Sequence, residues 1–259
     1  MMLKESCTVL SLDEIEEDIY SMWLSSQAIA EEARPGQFVN VYSRDRSRLL
    51  PRPISICETD PAQGCFRLVF RVAGAGTREF ASLQAGAHTN ALDVIGPLGN
   101  GFPLAEEKGK RVLLVGGGIG IPPMLSCAKV LQEDAMAVLG YRSRAFLQEE
   151  FPQACPVFIA TEDGSSGSKG TVIDAIRENS LTADVIFACG PKPMLRAVSA
   201  WAAKEGIPCF VSLEERMACG IGACLGCVCD SNTLDRHLNV CKKRVCLEGP
   251  VFLSTEVKL

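Results

Sequence analysis

Four cysteines near the C-terminus constrain this chain most. Cys219, Cys224 and Cys227 stand in the run Met217-Ala218-Cys219-Gly220-Ile221-Gly222-Ala223-Cys224-Leu225-Gly226-Cys227, and Cys246 follows in Val245-Cys246-Leu247-Glu248-Gly249-Pro250. The C-x4-C-x2-C spacing with a distant fourth cysteine is the ligand pattern of a plant-type [2Fe–2S] site. Gly220, Gly222 and Gly226 let the backbone wrap closely around such a group. A cluster of this kind moves one electron at a time, so the pattern points to redox work.

Other uses of cysteine fit less well. The chain has 13 cysteines, and some could be small buried apolar residues. An odd number leaves one without a disulfide partner. The acidic stretch Asp13, Glu14, Glu16, Glu17 and Asp18 is unlike an export signal. Zinc sites favour paired C-x2-C units, which this spacing does not provide. Cys229 and Cys241 compete for the fourth position, and Cys246 is preferred because a Gly-Pro turn follows it. A reducing cytoplasm suits this many free thiols.

At 259 residues the chain can hold two domains and a small appendage. Its 47% apolar content suits packed cores. A net charge of −5 argues against nucleic acid as the main partner. The longest apolar stretch, Val112 to Leu125, is broken by Gly116, Gly117, Gly118, Gly120, Pro122 and Pro123, which argues against a membrane span.

Residues 1–104 read as β-rich. Phe66, Leu68, Phe70 and Val72 alternate with Arg67, Val69 and Arg71, the period of a half-buried strand. Gln37 to Ser43 and Ile54 to Glu58 are similar short runs bounded by proline and glycine. Many short strands between turns suggest a closed antiparallel barrel. Residues 105–212 change character. The apolar runs 112–115, 137–139, 157–160, 185–188 and 209–211 resemble strands of a parallel sheet covered on both faces. That predicts an open α/β nucleotide-binding unit. Residues 213–259 carry the cysteine cluster.

Gly116-Gly117-Gly118-Ile119-Gly120 follows the first parallel run directly. Glycines there permit a tight turn and close approach to a pyrophosphate, with the next helix N-terminus favouring the anion. A plain strand–helix turn would look alike. Cys189-Gly190-Pro191 follows a later run, where ligands of open sheets bind. Cys189 is small enough to sit beside a reacting nicotinamide, or is simply a buried thiol at a strand end.

In this order, the β-rich half, the Gly-Gly-Gly-Ile-Gly loop and the Cys-Gly-Pro loop resemble the ferredoxin–NADP reductase superfamily. The resemblance implies that Arg52-Pro53-Ile54-Ser55 is the flavin motif, Arg52 pairing with phosphate and Ser55 meeting the ring. It implies a second flavin element from Val69-Phe70-Arg71 through Gly76 and Thr77, with Thr77 opening a short helix. The segment Ser212 to Cys224, with Val245 to Phe252, resembles electron-transfer subunits of type B dihydroorotate dehydrogenases. By that resemblance the ligands are Cys219, Cys224, Cys227 and Cys246, and the cofactors are FAD, [2Fe–2S] and NAD. The implied partner is an FMN-containing catalytic subunit that oxidises dihydroorotate, two copies of each chain assembling together. Subunits of a hydrogenase, sulfide dehydrogenase or transhydrogenase are the alternative. His88 and His237 lie in no catalytic motif. Arg142-Ser143-Arg144 could accept the 2′-phosphate of NADP, against the NAD that the family implies.

Overall fold

The computed structural model describes residues 3–86, 91–107, 109–235 and 240–259. His88 and His237 lie outside the described residues. Six strands close a barrel: β1 (Leu3–Glu16), β2 (Ile19–Ser25), β3 (Phe38–Val41), β4 (Arg52–Asp60), β5 (Cys65–Arg71) and β6 (Ala91–Leu98), in the order β1-β2-β5-β4-β3-β6. Helix α1 (Gln27–Glu32) starts at Ser26, whose side chain accepts from the Ile29 N–H, and α2 (Ala75–Ala81) follows β5. Alternate residues turn inward along each strand. Val39, Val41, Ile54, Ile56, Phe66, Leu68 and Phe70 fill the barrel with Phe80 of α2.

The second layer is a seven-stranded sheet. Its strands are β7 (Val112–Gly117), β8 (Ala135–Tyr141), β9 (Val157–Thr161), β10 (Ser168–Lys169), β11 (Val185–Cys189), β12 (Cys209–Ser212) and β15 (Val251–Leu253), ordered β10-β9-β8-β7-β11-β12-β15. Helices α3 (Ile121–Leu131), α4 (Val172–Glu178) and α5 (Lys192–Glu205) cover its faces. Leu113, Leu114, Ile186 and Phe187 are fully buried, which is why these strands read as continuous apolar runs. Each such side chain contributes ~1.5–3 kcal/mol by leaving water. The chain runs outward from β7 to β10, then returns to β7's other edge as β11. This reversal makes the carboxyl ends of β7 and β11 the topological switch point, the place where open sheets of this kind bind ligands. Between β12 and β15 lie the cysteine run, the hairpin β13 (Val228–Asp235) and β14 (Val240–Arg244), and α6 (Val245–Glu248). Strand β15 then pairs antiparallel with β12.

The outer face of β5 corrects the expectation of a half-exposed strand. Arg67 is 8% exposed and Val69 3%. The second layer covers them. Val69 packs with Val112, Ile121 and Leu125. The Arg67 guanidinium donates to both carboxylate oxygens of Glu150 at 2.7 and 3.1 Å and to the Ser21 hydroxyl at 2.8 Å.

Candidate functional site

The cysteine run makes no regular structure because its backbone is bent around the sulfurs. Gly220, Gly222 and Leu225 have φ of +67°, +84° and +58°. A Cβ at Gly222 would meet Leu247 at 2.8 Å. Each of the four predicted cysteines accepts a backbone N–H. Ile221 donates to Cys219 at 3.5 Å, Gly226 to Cys224 at 3.4 Å, Cys246 to Cys227 at 3.4 Å and Gly222 to Cys246 at 3.1 Å. The four thiols are electrostatically linked: the Cys224 side chain acts on Cys219, and Cys227 and Cys219 act on Cys246. Among the described residues no three His, Cys, Asp or Glu side chains converge as a single ion requires. Cys227 and Cys246 are buried, whereas Cys224 is exposed.

Charge follows from this arrangement. Burial pushes the Cys219 thiol up, but the Ile221, Cys224 and Ala223 N–H groups and the Cys224 side chain outweigh it and bring it to about 7. Burial and the neighbouring Cys227 push Cys246 up to about 12. The competing cysteines lie on the hairpin. Cys229 lines a cavity of about 340 Å³ with Lys192, Glu215 and Lys242, and Cys241 is exposed on β14.

On the barrel, β4 runs beside β3 with Arg52 opposite Val41, Pro53 opposite Asn40, Ile54 opposite Val39 and Ser55 opposite Phe38. The Arg52 guanidinium fills the space where Gly76 would carry a Cβ, its Cζ lying 2.7 Å from that point. The two predicted flavin elements therefore meet. Val69 and Phe70 are each 3% exposed and committed to packing, Phe70 lying edge-on to Phe80 at 6.1 Å. What these two can present to a ligand is backbone. Thr77 does not open α2. The helix begins at Ala75, and the Thr77 hydroxyl reaches back to accept from Ala73 and Gly74 N–H at 2.9 and 3.2 Å. The cause is local: Thr at the third helical position can satisfy N–H groups that precede the helix.

At the switch point, the glycine loop is built mainly for packing. A Cβ at Gly120 would overlap the Cys189 carbonyl, and one at Gly117 would come within 2.5 Å of the Met194 sulfur and 3.1 Å of Pro191. A Cβ at Gly116 would meet Ile121 at 2.9 Å, and one at Gly190 would meet Met194 at 2.7 Å. Only Gly118, with φ +53°, faces open space, its nearest neighbour being the Arg71 guanidinium at 4.0 Å. The expected anion-binding helix end is also reduced. The Ile121 N–H is spent on the Gly118 carbonyl, and Pro122 and Pro123 have none.

Cys189 is 2% exposed, and burial raises its thiol, as does Glu214, against a hydrogen bond from Ser212. Glu214 is accessible to solvent yet crowded by protein, as in a crevice. Crowding raises its carboxyl and the Arg71 guanidinium holds it down. Reading the sequence alone missed Glu214 and Asn40. Glu214 lies two residues beyond β12, the strand that pairs with β11, and that position could have flagged it. The Arg142–Arg144 loop is tied back, Arg144 to Glu16 of β1 at 3.2 Å and the Ser143 carbonyl to the Ser165 hydroxyl at 3.0 Å.

A closed six-stranded barrel joined to a mostly parallel sheet defines a ferredoxin reductase-like fold. The ferredoxin reductase of carbazole 1,9a-dioxygenase shares this fold with TM-score 0.64 at 18% identity, over 80% of this chain and 67% of that one. The likeness is greater to an NADH-dependent reduced ferredoxin-NADP oxidoreductase structure: TM-score 0.86, 32% identity, 98% of this chain and 90% of that one. Residues 214–258 match the iron-sulfur cluster binding domain of dihydroorotate dehydrogenase B. The electron transfer subunit of dihydroorotate dehydrogenase B (NAD(+)) from Bacillus caldolyticus is 44% identical over 100% of both chains. The chain belongs to the family of dihydroorotate dehydrogenase B electron transfer subunits.

Proposed function

We propose that this chain carries electrons between a dihydroorotate-oxidising partner and NAD+, as the NAD-linked subunit of that enzyme. The observation that carries the reading is the set of four cysteines, each sulfur met by a backbone N–H, within a chain 44% identical to such subunits over its full length. A [2Fe–2S] cluster of this type takes four protein thiolates, and these four cysteines would supply them. Cys219, Cys224, Cys227 and Cys246 would hold it. Arg52, packed on Gly76, would meet the flavin phosphates, and Ser55 the ring. Gly118, Cys189, Gly190 and Pro191 would border the nicotinamide. When bound, the cluster supplies single-electron transfer and FAD the conversion to hydride transfer.

The chain's own residues orient and insulate these groups. Cys189, kept a neutral thiol by burial, adds no charge beside the hydride path. Arg71 lowers and crowding raises the Glu214 carboxyl, so these two charged groups would tune the polarity near the nicotinamide. Residues 1–104, 105–212 and 213–259 are the flavin, nicotinamide and cluster units in this reading. The partner is an FMN-carrying catalytic subunit, assembled as two of each chain in the cytoplasm. Among the described residues, no helix is long and apolar enough to cross a membrane. NAD rather than NADP is the acceptor, because the ion pair of Arg144 with Glu16 draws it toward the barrel. A second reading, a subunit of a different NAD(P)H–flavin–iron–sulfur complex, draws on the 32% identity to the reduced ferredoxin-NADP oxidoreductase.

Affinity purification from the native cells tests this. A co-purifying FMN protein, with orotate formed only when NAD+ is supplied, is the expected result. A different redox partner with no orotate formed would move the function to the second reading.

A further inference from the structure

The turn after β6 grips the segment that follows Cys246. Asn100 stands in that turn, at the surface. An exposed amide can satisfy itself with water, yet Asn100 commits its side chain to one short segment. Its Nδ2 donates to the Val251 carbonyl at 2.8 Å and to the Glu248 carbonyl at 3.2 Å, and its Oδ1 accepts from the Val251 N–H at 2.9 Å. Its own backbone N–H donates to the Gly249 carbonyl at 2.6 Å. These contacts span 148 to 151 positions of sequence. Gly99, with φ +71°, lets the two turns close on each other: a Cβ there would come within 2.6 Å of Pro250 and 2.7 Å of the Gly249 carbonyl.

The gripped segment leaves α6, the short helix that carries Cys246, and contains the Gly249-Pro250 turn. The Pro250 carbonyl also accepts from the Leu213 N–H at 2.9 Å, just past β12, so barrel, sheet and cysteine run meet here. On the barrel side the turn is tied to the flavin motif. The Gly99 carbonyl accepts from Gln37 Nε2 at 2.7 Å, and the Gln37 carbonyl accepts from the Ile56 N–H at 3.0 Å, one residue past Ser55. Phe38 pairs with Ser55 on β4 and with Leu98 on β6, and packs in the same core as Cys227, Cys246 and Phe252. That core already buries the Cys246 segment. Burial is non-directional, however, and does not fix where along the barrel end the segment sits; the four bonds to Asn100 do. Asn40 of β3 makes a separate tie, donating to the Cys219 carbonyl at 2.9 Å.

We propose that Asn100 is a positioning residue for single-electron exchange: it fixes the Cys246 turn on the barrel end and so sets the separation between the cluster and a flavin held at residues 52–55. The role needs no contact with either cofactor. No covalent bond forms or breaks at Asn100; one electron leaves one cofactor and enters the other. The inference rests on the placement of flavin and cluster proposed above.

The test uses the full chain with Asn100→Ala, which removes the side-chain bonds, and Asn100→Asp, which can still accept from the Val251 N–H but cannot donate to either carbonyl. FAD and iron per chain, and Tm, are measured first. Both variants are expected to keep both cofactors, because the bonds from Asn40 to Cys219 and from Leu213 to Pro250 remain. Two readouts follow. One is the ratio of cluster reduction rate to flavin reduction rate on mixing with NADH. The other is the magnetic interaction between flavin and reduced cluster in paramagnetic resonance, which reports their separation. The ratio is expected to fall about tenfold, within the range that a displacement on the order of 1 Å produces, and the magnetic interaction to change with it. A merely structural role would lower Tm and leave both readouts as in wild type; that result in loaded variants would overturn the inference while leaving the cofactor assignment standing. Loss of iron from both variants would overturn it too, since Asn100 would then be needed to bind the cluster and not to space it. Wild-type protein that holds FAD but no iron would instead overturn the assignment itself. Should Asn100→Ala fail to fold, Asn100→Asp decides by the same readouts.

Discussion

Arg67→Met should loosen the contact between barrel and sheet. The Arg67 side chain is 10% exposed and holds Glu150, whose side chain is 34% exposed. The substitution removes two charge-assisted hydrogen bonds to Glu150 and one to Ser21 while keeping much of the apolar stem. Glu58, also paired with Arg67, keeps Lys129 as a partner. Charge-assisted bonds of this kind carry ~1.5–3 kcal/mol each when buried. The partial exposure of Glu150 lowers that through solvent screening. The expected loss is ~2–4 kcal/mol, a fall in Tm of ~5–12 °C for a chain of this size. A double-mutant cycle with Glu150→Ala, read by thermal unfolding, should give a coupling of ~2 kcal/mol. Iron content should not change, because the cysteine run is not involved. A cycle that is additive, or a single-variant loss below ~1 kcal/mol, would refute the claim that this pair joins the two layers.

Three further outcomes are expected. Gly120→Ala should cost ~2–4 kcal/mol, because its Cβ would enter the Cys189 carbonyl, whereas Gly118→Ala should cost only the ~1–2 kcal/mol of left-handed strain; equal losses on thermal unfolding would contradict the packing role. Arg52→Ala should weaken FAD binding about 30-fold, the equivalent of ~2 kcal/mol, in a flavin fluorescence titration, and unchanged affinity would count against the phosphate contact. Burial raises the Glu79 carboxyl, but the Ser43 hydroxyl, the Arg44 and Asp45 N–H groups and the Arg48 guanidinium more than offset it and hold it below the usual range. Such a group stabilises above its unfolded pKa of ~4.3 and loses that stabilisation as pH falls through the folded value. Glu79→Gln should flatten the acid side of the Tm–pH curve, and an unaltered acid side would remove Glu79 from the account.

The strands were legible because burial on both faces writes continuous apolar runs, as at 112–115 and 185–188. The cysteine spacing was legible because it is a local pattern, and the segment that carries it matches an iron-sulfur cluster binding domain. Interfaces between layers were not. Arg67 looks solvated in sequence, and the partners that allow its burial, Ser21, Glu58 and the distant Glu150, come from other elements. Thr77 was read as a helix start because its type suits a cap, yet it works as well three positions inside. Glycines 117 and 120 were read for a tight turn and close backbone approach, and the space a side chain would need there is taken by Met194 and Cys189, packing that no local pattern showed. Asn40 draws its environment from the distant Cys219 carbonyl and no local pattern marks it, whereas only its place just past β12 marks Glu214.

The most direct measurement reconstitutes this chain with the dihydroorotate-oxidising subunit and follows NADH formation from dihydroorotate, comparing wild type with Cys224→Ser. Loss of one thiolate should prevent cluster assembly and leave the barrel and its FAD in place. The account predicts NADH formation by the wild-type pair and none above background by the FAD-loaded, iron-free variant. NADH formed at the same rate without the cluster would contradict it.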